Sequence, residues 1–156
     1  MATKPPILKE GDPAPNIKLT ADNGEAFDLA SLQGKKVVLY FYPKADTSGC
    51  TKEACAFRDA RTQYTRKKAV IIGVSPDTPA KQAKFKQKHD LPFTLLADVG
   101  QEAAQAYGVW KEKSMYGRKY MGVERTTFII DEQGKIAKIF PKVKVAGHAE
   151  EVLAAL

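Results

Sequence analysis

Apolar residues fall in short blocks whose spacing alternates between that of strands and that of helices. The run Val37–Tyr42 is continuously apolar and consists mainly of β-branched and aromatic residues, which predicts a strand buried on both faces of a parallel sheet, and Pro43 ends it. A helix is predicted from about Cys50 to Lys68, and Val70–Val74 predicts a second buried strand. The predicted stripe of that helix consists of Ala54, Phe57, Arg61 and Tyr64. Together these segments predict a βαβ unit.

A hairpin is predicted near the N-terminus. Ile17–Leu19 and Glu25–Leu29 read as strands, and Asn23-Gly24 between them is a strong hairpin signal because both residues tolerate positive φ.

The second half of the chain continues the alternation. Asp77 and Thr78 before Pro79 predict the cap and first turn of a helix that runs to about Lys88. The predicted elements that follow are a strand at Phe93–Ala97, a helix at Gln101–Tyr107, an irregular stretch at Val109–Gly122, a hairpin of Arg125–Ile130 and Lys135–Phe140, and a final helix with the apolar stripe Ala149, Val152, Leu153 and Leu156. This order predicts a thioredoxin-like α/β fold, with a central mixed β-sheet flanked by helices and an N-terminal β-hairpin. We expect one domain over residues 1–156.

Composition narrows the classes of protein. Of the 156 residues, 44% are apolar and 28% are charged, which is typical of a globular protein in water. No apolar run approaches the roughly 20 residues that span a bilayer, and Met1–Glu10 lacks the apolar core of a secretory signal. We therefore expect a cytoplasmic protein without membrane contact.

The net charge of +7 raises the question of nucleic-acid binding. The basic residues are spread over several segments and alternate with uncharged ones, as on solvated faces, and no nucleic-acid-binding motif is present. We therefore expect the charge to serve solubility and to attract acidic partners.

The only two cysteines, Cys50 and Cys55, follow the turn-prone segment Pro43–Gly49. A thiol near a helix N-terminus is favoured as thiolate by the helix dipole and the unpaired backbone N–H groups. In a reducing compartment such a pair is more often catalytic, redox-sensing or metal-binding than a structural staple. This position makes Cys50 the candidate nucleophile, whereas a cysteine taken alone is commonly a small buried hydrophobe.

The segment around the cysteines also resembles a known motif. Residues 41–55, FYPKADTSGCTKEAC, are similar to the active-site motif of peroxiredoxins of the bacterioferritin comigratory protein or peroxiredoxin Q subfamily. The resemblance extends over nearly the whole chain, through Gly11–Pro15, Gly73–Asp77, Tyr107–Val109 and Arg125–Asp131. Ser48 departs from the pattern, because this subfamily usually has proline there, which would fix φ.

The resemblance implies a thiol-dependent peroxidase that reduces hydrogen peroxide and organic hydroperoxides. It implies that Cys50 attacks the peroxide and that Cys55 resolves the sulfenic acid as a disulfide, which thioredoxin or a similar dithiol protein reduces. No haem, flavin or metal is implied, and a monomer is expected. The other implied site residues are Arg125 and the backbone of Gly49 as donors, Thr47 as a hydroxyl in the same network, Pro43 as a shield of the sulfenate, and Glu53 as a partner of Arg125.

The disulfide would require a conformational change. Two helical residues five apart have Cα atoms about 8.6 Å apart, whereas a disulfide tolerates no more than about 7 Å. If Cys50 and Cys55 are both helical when reduced, oxidation must unwind the start of the helix.

Two other functions compete with the peroxidase. A thioredoxin-like disulfide reductase usually has two residues between its cysteines, whereas four separate these. A structural zinc site usually needs four ligands, which would require both cysteines with His89 and His148.

The remaining polar and aromatic candidates have plainer interpretations. We read His89 and His148 as surface or helix-end residues, and Trp110, Tyr116 and Tyr120 as core or loop-packing residues.

Overall fold

Nine strands and five α-helices follow one another in the part of the chain that the structure, a computed structural model, describes, residues 8–156. The strands are β1 (Lys18–Ala21), β2 (Ala26–Asp28), β3 (Lys36–Phe41), β4 (Ala69–Ser75), β5 (Thr94–Ala97), β6 (Trp110–Met115), β7 (Arg118–Val123), β8 (Thr126–Ile130) and β9 (Ile136–Phe140). The helices are α1 (Ser48–Asp59), α2 (Arg61–Arg66), α3 (Pro79–His89), α4 (Glu102–Ala106) and α5 (His148–Ala154), with a 3-10 helix at Leu29–Leu32. Most of Met1–Glu10, which the sequence analysis assessed for a secretion signal, lies outside the described residues.

Seven strands form one mixed sheet in the order β2-β1-β5-β4-β3-β8-β9. Strands β3, β4 and β5 are parallel, whereas β8 runs antiparallel to β3 and β1 runs antiparallel to β5. The predicted fold class, a thioredoxin-like fold built on a central mixed sheet, is confirmed.

Strand β3 lies between β4 and β8 and is the most deeply buried part of the sheet. Val37 pairs with Val70 on one side and with Ile130 on the other, and Val38 through Phe41 have no exposed surface. A strand covered on both faces needs apolar residues at every position, which explains the unbroken apolar run in the sequence.

The N-terminal hairpin is confirmed. Leu19 pairs with Phe27, and the turn at Asn23-Gly24 places Gly24 at φ +82, where a residue with a side chain is disfavoured. The second strand is shorter than predicted, because Leu29 already belongs to the 3-10 helix.

The long helix predicted from Cys50 to Lys68 is two helices. The helix is interrupted at Ala60, so α1 and α2 do not share one continuous apolar stripe. Phe57 and Tyr64 are buried, whereas Arg61 is exposed, and its predicted place on the apolar stripe was wrong.

The stretch at residues 109–122 is a hairpin, not an irregular segment. Strands β6 and β7 pair with each other, for instance Lys113 with Tyr120, and form a separate two-stranded sheet. Tyr116 and Gly117 make the turn, with φ of 53° and 77°. The prediction failed because β6 carries mostly charged and polar residues and β7 begins with Arg118 and Lys119, which hide the alternation of a half-buried strand.

The aromatic predictions for this hairpin are corrected in part. Trp110 packs partly buried against the core, but Tyr116 is 98% exposed and Tyr120 is 44% exposed, so neither of these two is a packing residue.

His148 was expected at the surface or at a helix end. It begins α5 but is fully buried.

Helix α1 packs against an aromatic cluster on one face of the sheet. The Tyr40 ring lies 4.9 Å from the Phe57 ring and 5.3 Å from the Tyr42 ring, measured between centroids. Gly73 on β4 makes room for Tyr40, because a Cβ at this position would come within 2.9 Å of the Tyr40 hydroxyl. The cluster therefore fixes how α1 sits on the sheet.

None of the helices in residues 8–156 combines the length and the apolar character that crossing a membrane requires.

Candidate active site

The loop between β3 and α1 is held by hydrogen bonds from β4 and the segment after it. The Tyr42 N–H donates to the Val74 carbonyl at 3.0 Å, and the Ala45 N–H donates to Asp77 Oδ2 at 2.7 Å. Ser75 Oγ donates to the same carboxylate oxygen at 2.6 Å. Asp77 therefore anchors this loop.

The cap of α3 differs from the prediction. Thr78, not Asp77, is the N-cap, and its hydroxyl accepts a hydrogen bond from the Lys81 N–H at 3.3 Å. Pro79 follows at the first helical position, where the missing N–H costs nothing.

A second anchor joins the same loop to the end of α3. Asp46 has a φ of 62°, and its carboxylate lies 2.9 Å from Lys88 Nζ and 3.2 Å from His89 Nε2. The loop is thus fixed on both sides before α1 begins.

Cys50 lies in the first turn of α1 and is 1% exposed. Thr47 is the N-cap and Ser48 the first helical residue, a position that also suits proline. The first N–H groups of a helix have no acceptor within it, so those of Gly49 and Cys50 are available to a ligand. The prediction that Cys50 lies near a helix N-terminus is confirmed.

Arg125, between β7 and β8, reaches the sulfur of Cys50. Its Nη2 donates to Cys50 Sγ at 3.2 Å, and its Nη1 donates to Glu53 Oε1 at 2.7 Å. Gly49 leaves space for the guanidinium, because a Cβ there would lie 3.2 Å from Nη2. The structure therefore brings Cys50, Arg125, Glu53 and Gly49 together.

Glu53 is 1% exposed, and its Oε2 has no hydrogen-bond partner among residues 8–156. Burial raises the pKa of Glu53 to about 7, although the charge and hydrogen bond of Arg125 oppose the shift. The Glu53 carboxyl group thus titrates near neutral pH.

Thr47 and Pro43 lie in the segment that leads to α1. Within residues 8–156, neither is hydrogen-bonded to Cys50 Sγ. Thr47 Oγ1 donates to the Lys44 carbonyl at 2.8 Å, so its hydrogen is used and the oxygen is left to accept. Pro43 is half-buried, directly after Tyr42.

Cys55 lies in the same helix as Cys50. It is half-buried, and both cysteines are free thiols. Both cysteines are therefore helical in the reduced protein, so forming a disulfide requires the start of α1 to unwind.

The two histidines have separate environments. His89 contacts Asp46, whereas His148 Nε2 lies 2.7 Å from Thr127 Oγ1 and its Nδ1 lies 2.6 Å from Glu151 Oε1. Within residues 8–156, no group of three His, Cys, Asp or Glu side chains is placed to hold a metal ion.

Sequence reasoning missed the two loop anchors, Asp77 and the contact of Asp46 with Lys88 and His89. The quoted similarity at Gly73–Asp77 was a signal for the first of them. Nothing in the sequence pairs Asp46 with a helix end 42 residues further on.

Comparison with known proteins identifies the family. Residues 10–139 match the AhpC/TSA family. The chain belongs to this family. It is 50% identical over 149 residues to the putative peroxiredoxin bcp of Coxiella burnetii, covering 96% of this chain and 99% of that protein. It is 51% identical to peroxiredoxin Bcp of Bacillus subtilis, covering 96% and 95%.

Solved structures agree with this assignment. A cysteine mutant of Xylella fastidiosa PrxQ superposes with a TM-score of 0.90 at 33% identity, covering 96% of this chain and 95% of that one. A Xanthomonas campestris bacterioferritin comigratory protein, whose structures address alkyl peroxide reduction, superposes with a TM-score of 0.85 at 37% identity, covering 89% and 88%.

The chain is thus a peroxiredoxin of the peroxiredoxin Q branch, as the motif indicated. Peroxiredoxins are thiol-dependent peroxidases, so this peroxiredoxin is an oxidoreductase that acts on peroxides. The competing interpretation as a thioredoxin-like disulfide reductase is not favoured.

Proposed function

We propose that Cys50 is the peroxide-reducing nucleophile and that Cys55 resolves the product as an intramolecular disulfide. The observation that carries this proposal is the hydrogen bond of 3.2 Å from Arg125 Nη2 to Cys50 Sγ at the start of α1. A guanidinium and a helix N-terminus at one sulfur both interact favourably with negative charge, and the thiolate is the nucleophilic form of cysteine.

The first step transfers one oxygen to sulfur. The Cys50 thiolate attacks an oxygen of the peroxide, the O–O bond breaks, and negative charge grows on the oxygen that leaves as water or alcohol after it takes a proton. In this proposal Arg125 and the N–H groups of Gly49 and Cys50 stabilise that charge, which the hydrogen bond from Arg125 to Cys50 Sγ supports. Thr47 accepts the hydrogen bond of the peroxide O–H, and Pro43 shields the sulfenate without an N–H of its own.

Glu53 has a positioning role in this proposal. Its Oε1 holds Arg125 Nη1 at 2.7 Å while Nη2 of the same side chain donates to the sulfur. A carboxylate that accepts from one end of the planar guanidinium fixes the direction of the other.

The second step requires α1 to open. Helix geometry places the Cα atoms of Cys50 and Cys55 about 8.6 Å apart, beyond the roughly 7 Å that a disulfide allows. The first turn and a half must unwind before the Cys55 thiolate displaces hydroxide from the sulfenic acid. Cys50 then leaves the helix start that activated it.

Recycling completes the proposed cycle. Hydrogen peroxide and organic hydroperoxides are the substrates, and thioredoxin or a similar dithiol protein reduces the disulfide. Both steps take place within one chain, which fits a monomer. The need for a reduced dithiol partner fits the cytoplasm.

Mass spectrometry before and after one equivalent of peroxide tests the assignment. The wild-type protein should lose two hydrogens. Cys55→Ser should instead gain one oxygen as a trappable sulfenic acid, and Cys50→Ser should not consume peroxide at all. Substantial turnover by Cys50→Ser, or no trappable sulfenic acid in Cys55→Ser, would overturn the roles given to the two cysteines.

A further inference from the structure

A basic groove lies beside the loop that leads to Cys50. The loop residues Lys44 and Asp46 line one side, and Lys81, Lys84 and Lys88 of α3 line the other. Its volume is about 460 Å³, and the ring of Phe85 forms part of its apolar lining. The proposed peroxide chemistry uses none of these side chains.

Positive charge in this groove exceeds negative charge. Helix α3 carries no acidic residue. Lys88 is neutralised by Asp46, but within residues 8–156 no carboxylate lies within 4.0 Å of Lys44, Lys81 or Lys84. Three lysines are therefore left to attract an external anion.

The acidic side chains of the groove are already engaged. The Asp77 carboxylate accepts hydrogen bonds from Ala45 N–H and Ser75 Oγ. Asp46 contacts both Lys88 and His89. The hydrogen-bond donors of Asp77 are uncharged, so its negative charge remains, but four lysines face only two carboxylates and the groove keeps a net positive charge.

One end of the groove adjoins the helix that bears both cysteines. His89, next to Lys88, accepts a hydrogen bond through its carbonyl from Arg58 Nη1 at 2.7 Å. Arg58 lies one turn past Cys55 on α1, while Asp46 on the other side of the groove precedes Cys50 by four residues. The end of the groove at Lys88 therefore adjoins both the loop before Cys50 and the part of α1 past Cys55.

We propose that this groove is the docking site for an acidic surface of the dithiol protein that reduces the Cys50–Cys55 disulfide. The proposal rests on the recycling step of the proposed function. Complementary charge steers two proteins together and aligns them, which is the role we give to Lys44, Lys81 and Lys84.

The chemistry at the docked surface is thiol–disulfide exchange. A thiolate of the partner attacks one sulfur of the Cys50–Cys55 bond, and the other sulfur leaves as thiolate. The second thiol of the partner then breaks the mixed disulfide, so that two electrons and two protons pass to this chain and the partner leaves as a disulfide.

A charge reversal on α3 tests the proposal. The double variant Lys81→Glu and Lys84→Glu is compared with a control, Lys135→Glu and Lys144→Glu, which changes two exposed lysines outside the groove by the same net charge. Turnover is measured with an acidic thioredoxin and its reductase, and separately with dithiothreitol. We expect kcat/KM for thioredoxin to fall about tenfold or more in the groove variant and far less in the control.

Three readouts must agree for the groove to be the docking site. The kcat/KM for thioredoxin should fall with added salt in the wild type and less steeply in the groove variant. Turnover with dithiothreitol and the kcat/KM for peroxide should stay at wild-type values.

Each alternative has its own outcome. An equal fall in kcat/KM for thioredoxin in the groove variant and the control would mean that only the net charge of the protein matters. A changed kcat/KM for peroxide would mean that the groove binds substrate, and inhibition by inorganic phosphate that the groove variant abolishes would mean that it binds small anions. Any of these overturns the docking role. A wild-type protein that turns over with dithiothreitol but not with thioredoxin would overturn the recycling assignment, and the docking role with it.

Discussion

Helix α1 and strand β3 are packed into the same aromatic cluster, yet they are held in place by different means. The Phe57 ring of α1 and the Tyr40 ring of β3 are in contact and both side chains are fully buried. The backbone hydrogen bonds of β3 are shared with β4 and β8, whereas those of α1 close within the helix. Burial alone therefore does not decide which element can open.

The tethers of α1 to the rest of the molecule are side-chain contacts. Arg125 binds Glu53 near the start of the helix, and Arg58 binds the His89 carbonyl near its end. A helix held this way can unwind its first turns without breaking a ladder of the sheet. The reactive cysteines lie on the element that can open, and the sheet keeps their surroundings in place.

Among the changes that test this comparison, the largest effect is expected from Arg125→Met, which removes both the tether to Glu53 and the donor to sulfur. Peroxide reduction should slow by about 10²–10³-fold, because an aimed donor to growing charge is lost. Stopped-flow peroxide consumption by the reduced enzyme measures it. Arg125→Lys should restore part of the rate, since lysine keeps the charge but lacks the planar fork of donors.

The matched control for this prediction is Arg118→Met, an exposed arginine in the turn-side part of β7. It should leave the rate unchanged. Wild-type rates from Arg125→Met would remove Arg125 from the chemistry.

Hydrogen exchange on the two redox forms tests the contrast between helix and strand directly. In the disulfide form, amides over residues 49–58 should exchange on the order of 10²-fold faster, because the helix start is unwound, while Val70–Val74 in β4 should stay protected. Equal protection of residues 49–58 in both forms would mean that the helix survives oxidation. Cys55 could then not be the intramolecular resolving cysteine.

Acidity should control how easily α1 opens. Glu53 has a folded pKa of about 7 against an ordinary value of 4.5, so the helical state binds its proton more tightly than the unwound state. Between these two values opening releases the proton, and opening therefore becomes more favourable as pH rises, by up to about tenfold per pH unit.

The measurement is amide exchange of α1 from pH 5 to 7.5 in a Cys50→Ser, Cys55→Ser background, corrected for the intrinsic pH dependence of exchange. Adding Glu53→Gln should flatten the profile, whereas the exposed Glu150→Gln should not. A rise that persists with Glu53→Gln would assign the pH dependence to another group.

The smallest effect is expected from Asp46→Asn, which weakens the exposed contact with Lys88 and His89. Disulfide formation after a peroxide pulse should change by no more than a few-fold, because exposed ion pairs are screened by water and salt. A change as large as that of Arg125→Met would make this loop anchor, not the guanidinium, the main restraint on α1.

Much of the fold could be predicted from local patterns. The unbroken apolar run became β3, Asn23-Gly24 became the hairpin turn, and the position of Cys50 at a helix start followed from the turn-prone segment before it. Each of these depends on interactions between residues close in sequence or on burial of a whole segment.

The errors have equally local reasons. The break at Ala60 follows no glycine or proline, so the sequence offered no stop signal. The β6–β7 hairpin is rich in lysine, which is depleted in strands. His148 is buried because it contacts Thr127 and Glu151, and such a pairing depends on the tertiary fold.

The candidate site was predicted more from the motif than from physics. The resemblance gave Cys50, Arg125 and Glu53 together, and the structure brings them into contact. The motif included Asp77 but not its contact with Ala45, 32 residues away, and nothing in the sequence indicated the contact of Asp46 with Lys88, 42 residues away.

The space that Gly73 leaves for Tyr40 offers a handle for engineering. A methyl group on β4 at this position would come within 2.8 Å of the Leu95 side chain and 2.9 Å of the Tyr40 ring, so both would have to shift, and the Tyr40 ring packs against Phe57, two residues past Cys55 on α1. The position of the reactive helix can thus be altered from β4, through Tyr40, without substituting a cysteine. Libraries that aim to retune the speed of disulfide formation have in Gly73, Tyr40 and Phe57 a short chain of positions to vary together.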